Sequence, residues 1–205
     1  TTLNSLNNFS GADVDSNFVA ERIVSTAELS IGGQRIDKHY QRWWRLYSEL
    51  YLNEGSKLNY AKMTTNPVTD TASKVYLPLI FFFNRNPGLA LPLIALQYHE
   101  VRIDLDLASD FEVNFSALKV WGNYIYLDTE ERRRFAQKGH EYLIEQVQHT
   151  GTDSLAAAAA TKQVRLSYNH PVKELVWCTT VAAETSLCNF TSTPVTVTSN
   201  VAALV

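Results

Sequence analysis

Residues 75–107, VYLPLIFFFNRNPGLALPLIALQYHEVRIDLDL, constrain the fold of this chain more than any other stretch. Two apolar runs, 77–83 and 89–96, flank Asn84-Arg85-Asn86-Pro87-Gly88, a cluster that stops any regular element and forces a turn. Each run carries an internal proline, Pro78 and Pro92, and each is read as a short strand. The pattern then switches to alternation. Val101, Ile103, Leu105 and Leu107 point one way and Arg102, Asp104 and Asp106 the other, the period of a half-buried strand. These features predict a sheet protein whose strands meet other protein on both faces.

The chain has 205 residues, 45% apolar and 19% charged, enough to bury a core. A formal net charge of -3 gives no general attraction to nucleic acid or to anionic membrane. No apolar run approaches the ~20 residues a membrane helix requires, and residues 1–20 lack the basic start and apolar core of a secretory signal. The two cysteines, Cys178 and Cys188, read as reduced thiols rather than as a disulfide framework or a thiolate metal site.

Along the chain, residues 1–18 read as a loop and 24–31 as a strand ending at Gly32-Gly33. Asp37 offers a helix N-cap, followed by Tyr40, Trp43, Trp44, Tyr47, Leu50 and Tyr51 at helical spacing. Asn53-Glu54-Gly55 is read as the end of that helix and 56–74 as a polar connector. Residues 110–119 read as a loop leading to a strand at 120–127. That strand is apolar on both faces, with Trp121, Ile125 and Leu127 on one and Val120, Tyr124 and Tyr126 on the other. Asp128 with Glu131 three places on marks a helix start. Strands are expected at 142–148 and 164–176, and 191–205 has strand propensity.

No catalytic constellation emerges. His99-Glu100 and His140-Glu141 begin like a zinc motif but lack the second histidine four residues on. No closely paired histidines of the cupin kind occur, and the five histidines read as structural. Gly32-Gly33-Gln34 is a tight turn rather than a phosphate loop. Trp43 and Trp44 suit packing better than a sugar platform, because Tyr40 and Tyr47 share their helical spacing. Arg132-Arg133-Arg134 reads as the solvated face of a connector helix. Three glycan acceptor patterns begin at Asn8, Asn114 and Asn189 and count for little without a secretory signal.

Residues 75–107 closely resemble the major capsid proteins of large icosahedral DNA viruses of the phycodnavirus type. So do ELSIGGQRIDKHY at 28–40, YIYLDTEERRRFAQKGHEYL at 124–143 and RLSYNHPVKELVW at 165–177, all in the family's order. The resemblance implies an all-β double jelly roll, two β-sandwiches with short connecting helices, here as an internal fragment. It places the end of the first jelly roll in 1–128, an interdomain connector helix in 129–140 and the start of the second jelly roll in 141–205. It implies a structural role without catalysis or cofactor, as a homotrimer tiling a capsid lattice with minor capsid proteins. The expected location is the virion, assembled in host cytoplasm, with neither sequence-specific nucleic-acid binding nor membrane insertion. Pattern then nominates Trp43, Trp44, Phe81, Phe82, Phe83, Trp121, Tyr124 and Tyr126 for inter-domain and inter-subunit packing. The alternative reading is a carbohydrate-binding jelly-roll module.

Overall fold

The computed structural model describes residues 2–5, 18–65, 73–108, 114–154 and 161–178. In chain order the elements are β1 (Thr2–Ser5), α1 (Val19–Ile23), β2 (Val24–Ile31), β3 (Gln34–Tyr40), α2 (Gln41–Tyr51) and α3 (Glu54–Thr64). They continue with β4 (Ser73–Lys74), α4 (Phe82–Arg85), a 3-10 turn (Pro87–Leu89), β5 (Val101–Leu107), β6 (Asn114–Ala117) and α5 (Thr129–Gln137). The strands form two three-stranded sheets, ordered β4-β1-β6 and β3-β2-β5. Every pairing is antiparallel.

The second sheet organises the core. Gly32 and Gly33 both have positive φ, 59° and 81°, which lets a two-residue turn join β2 to β3. A Cβ on Gly32 would lie 2.7 Å from His99 Nδ1, so this position needs glycine for space as well as for φ. Pairing sets Ala27 opposite His39 and Leu105, and Leu29 opposite Asp37 and Ile103, so these six share the inner face. The outer face is polar: Lys38 pairs with Glu28 at 3.4 Å, and the Thr26 hydroxyl donates to Asp106 at 2.6 Å. Against the inner face pack Val19, Ala20 and Ile23 of α1, Trp44 of α2, and Val75, Ile80, Phe81 and Phe82. Removing these large apolar side chains from water contributes about 1.5–3 kcal/mol each.

Several expectations are corrected. The apolar runs at 77–83 and 89–96 are not strands; they form irregular chain, α4, the 3-10 turn and further turns. Proline donates no ladder hydrogen bond, and the Pro78 carbonyl accepts instead from the Trp44 indole at 3.2 Å. Asp37 does not cap a helix but lies buried in β3, and α2 begins only at Gln41. Asn53 does not end α2, which stops at Tyr51; its side chain caps α3, accepting from Ser56 N–H at 2.8 Å. The connector read at 56–74 therefore contains most of an eleven-residue helix. Strands β1 and β6 stand where loops were expected.

No strand forms at 120–127, 142–148 or 164–176. A strand exists only by pairing with a neighbour, and none of the described strands shares a backbone ladder with these segments. Beside the two described sheets stand helices α2 and α3, of eleven residues each. Helix α5 begins as expected, with the Asp128 carboxylate accepting from Glu131 N–H at 2.9 Å. The segment at 191–205, the five alanines 156–160, Cys188 and the acceptor patterns at Asn8 and Asn189 lie outside the described residues.

Candidate functional site

The nominated aromatic residues separate into two groups. Trp44, Phe81 and Phe82 are buried, with Trp44 1% exposed and Phe81 fully enclosed. Trp43 and Phe83 pack against the same core, half-buried. Phe83 stands 5.9 Å from Phe81 and 5.4 Å from Phe82, centroid to centroid. Phe81 stacks on the His39 ring at 4.7 Å, and Trp44 meets that ring edge-on at 6.1 Å. These five residues therefore share one site inside the chain. Trp121, Tyr124 and Tyr126 do not join them. Trp121 is 82% exposed and Tyr126 97%, with Leu118, Val120, Tyr124 and Ile125 also exposed between and before them. A run of this kind is far more apolar than an ordinary solvated segment.

The aromatic stripe of α2 lies on its flank. Trp43, Tyr47 and Tyr51 follow one another at ring separations of 6.1 and 5.0 Å, while the face turned inward carries Trp44, Arg45 and Ser48. Arg45 is buried, with its guanidinium 3.6 Å from the Phe18 ring centroid and 3.0 Å from Glu49. Glu21, also buried, accepts from the Tyr60 hydroxyl at 2.6 Å. Arg45 approaches Glu21 only to 3.9 Å, too far for a hydrogen bond. Burial pushes the Glu21 carboxyl above the ordinary carboxylate range, against the opposing pull of Arg45 and Tyr60. Burial, and after it the charge of Glu21, likewise drives the Tyr60 hydroxyl well above its ordinary value.

A second polar group joins distant parts of the chain. Glu145 receives Arg85 at 3.1 Å and also Lys173. The Lys173 hydrogen bond holds the Glu145 carboxyl below its usual range despite some burial. The Tyr51 hydroxyl donates to Glu174, and burial followed by that hydrogen bond pushes it up to about 12. The Tyr142 hydroxyl donates to the Ala90 carbonyl at 3.0 Å.

Among the described residues no group of three or more His, Cys, Asp or Glu side chains could hold a metal ion. An apolar cleft of about 90 Å³ lies between Ile23, Val75, Leu105 and Leu118. It is well below the ~300 Å³ at which small-molecule sites begin. No described helix is long and apolar enough to cross a membrane.

Comparison with known proteins shows the family to which this chain belongs. Residues 1–128 match the family model for the major capsid protein N-terminus, and residues 131–204 match that for the large eukaryotic DNA virus major capsid protein. The chain belongs to the major capsid protein family of large eukaryotic DNA viruses. It is 47% identical over 178 residues to the major capsid protein of Paramecium bursaria Chlorella virus 1, covering 78% of this chain and 41% of that protein. It is 46% identical over 175 residues to that of Pyramimonas orientalis virus, covering 78% and 43%. Against the quasi-atomic model of the PBCV-1 virus capsid the TM-score is 0.66 at 42% identity, covering 83% of this chain and 45% of that one. The chain thus spans about two fifths of the length of the curated relatives it matches.

Within this capsid-family chain, sequence reasoning missed Asp37 and His39 as buried partners. The signal was present: in QRIDKHY, Asp37 and His39 alternate with Ile36, Lys38 and Tyr40, so a strand would put both on one face. The Glu21–Tyr60 contact joins residues 39 apart and left no such local trace.

Proposed function

We propose that this chain is a structural segment of a viral shell subunit. Two jelly rolls per subunit and three subunits per capsomer make six similar wedges, so the trimer presents a pseudo-hexagonal outline and tiles an icosahedral lattice around double-stranded DNA. The division falls at α5, with the end of the first jelly roll in 1–128 and the start of the second in 141–205. Two family matches, ending at 128 and beginning at 131, support that division. The subunit works by interface burial and performs no catalytic step, in the virion and among minor capsid proteins, after assembly in host cytoplasm.

The observation that carries this reading is the bare apolar strip of Leu118, Val120, Trp121, Tyr124, Ile125 and Tyr126 on a chain of this family. Obligate interfaces cover such surface, commonly upward of ~2,000 Å² in total. Trp121, Tyr124 and Tyr126 are the interface candidates this favours, with half-buried Trp43 and Phe83 next. Trp44, Phe81 and Phe82 act behind them, as the core that holds the surface in shape. A sugar platform made by the tryptophan pair is not favoured, because enclosed Trp44 offers no face for stacking.

Sedimentation and electron microscopy of the complete subunit test the proposal. Trimers that form hexagonal arrays are expected. Lone particles at every ionic strength would overturn it.

A further inference from the structure

We propose that Asp37 is the positioning residue of an internal seam that clamps residues 142–149 along the free side of β3. Among the described residues, strand β3 is an edge strand of its sheet, paired only to β2. Such an edge leaves backbone groups unpaired and invites wrong partners unless something covers it. Residues 142–149 run beside it in step: Gln146 Nε2 donates to the Ile36 carbonyl, Val147 N–H donates to Asp37, and the His149 ring lies 4.7 Å from the Tyr40 ring. The contacts pass largely through side chains, so no backbone ladder fixes the register. Some other group must do so.

Burial decides which group that is. The Glu145 contacts with Arg85 and Lys173 are largely exposed, and exposed ion pairs contribute little. Asp37 is 3% exposed. Its Oδ1 accepts from Lys38 N–H at 2.9 Å and from Val147 N–H at 3.0 Å, across 110 residues. Its Oδ2 lies 2.9 Å from His39 Nε2. A carboxylate only accepts, so the His39 ring carries its proton on Nε2 and donates it. The ring is fully buried against Phe81, which fixes the imidazole and through it the carboxylate. Asp37 thus joins the aromatic core to the backbone of the second matched region, through charge-assisted hydrogen bonds shielded from water.

This seam lies within one chain, so it stands or falls separately from the shell reading. Residue-resolved amide exchange on the full chain tests it, with Val147 as the reporter. In the wild type the Val147 amide is expected to exchange about ten- to a hundredfold more slowly than in a free peptide. Asp37→Asn keeps an acceptor oxygen and should retain that protection. Asp37→Ala removes it and should free Val147 while the Ala27 and Leu29 amides of β2 stay protected. Free-peptide exchange of Val147 in the wild type would overturn the proposal. So would undiminished Val147 protection in Asp37→Ala.

Discussion

Residues 101–107, alternating apolar and charged, and 120–127, apolar on both faces, both read as strands and end in opposite states. Val101–Leu107 is a paired strand whose Ile103 and Leu105 rest on the core. Residues 120–127 make no ladder, and Trp121 and Tyr126 stand in solvent. The difference is the neighbour. β5 finds β2 across seven registered pairs, beside a core of α1 residues and phenylalanines. The later segment finds nothing equivalent among the described residues. An apolar strand pattern therefore specifies a surface that wants covering, while the fold decides whether the same chain supplies the cover.

The sharpest way to break this comparison is to truncate one aromatic side chain on each side of it. Phe81→Ala opens a hole in the enclosed core and should cost about 3–5 kcal/mol in denaturant unfolding. Trp121→Ala should change the stability of the separated subunit by less than about 0.5 kcal/mol while weakening self-association. Equal losses of stability would erase the distinction. A smaller effect is expected at the β2–β3 turn, where Gly32→Ala meets a left-handed backbone and the His99 ring together. Its cost should be about 1–2 kcal/mol from backbone strain alone, and a neutral result would contradict the turn geometry.

The smallest effect is electrostatic and confined to the core side. The folded state raises the Glu21 carboxyl above its ordinary value. Folding therefore favours the protonated acid, so this stabilisation is complete below the ordinary carboxylate value of about 4.3 and is lost as pH rises through the raised one. Glu21→Gln removes the titration. Urea melts at about pH 4 and about pH 7 should show the variant gaining on the wild type as pH rises. A constant difference would argue against burial as the cause.

Local signals were legible where one residue type answers one geometric need. The Gly32-Gly33 turn, the alternation of β5 and the Asp128 cap of α5 could each be read directly. Asp37 carried two local signals at once: an aspartate before an aromatic helix reads as a cap, while its alternation with His39 is that of a strand, and only its partner 110 residues on decides between them. Asn53 misled for a related reason: a residue suited to end one helix also starts the next. The phenylalanines were recognised as packing residues but placed in a strand, since their apolar run hid the consequence of Pro78. Helical spacing on α2 found the Trp43–Tyr47–Tyr51 flank and passed over the buried Arg45. The interface candidates at Trp121, Tyr124 and Tyr126 were visible as an apolar excess, which names a surface and not its partner.

Hydroxyl-radical footprinting of assembled shells, read at single residues, tests the central claim most directly. Trp121 and Tyr126 should react readily in the separated subunit and at least about tenfold more slowly in the shell, with Trp44 protected in both. Full reactivity of Trp121 and Tyr126 in intact shells would contradict the account.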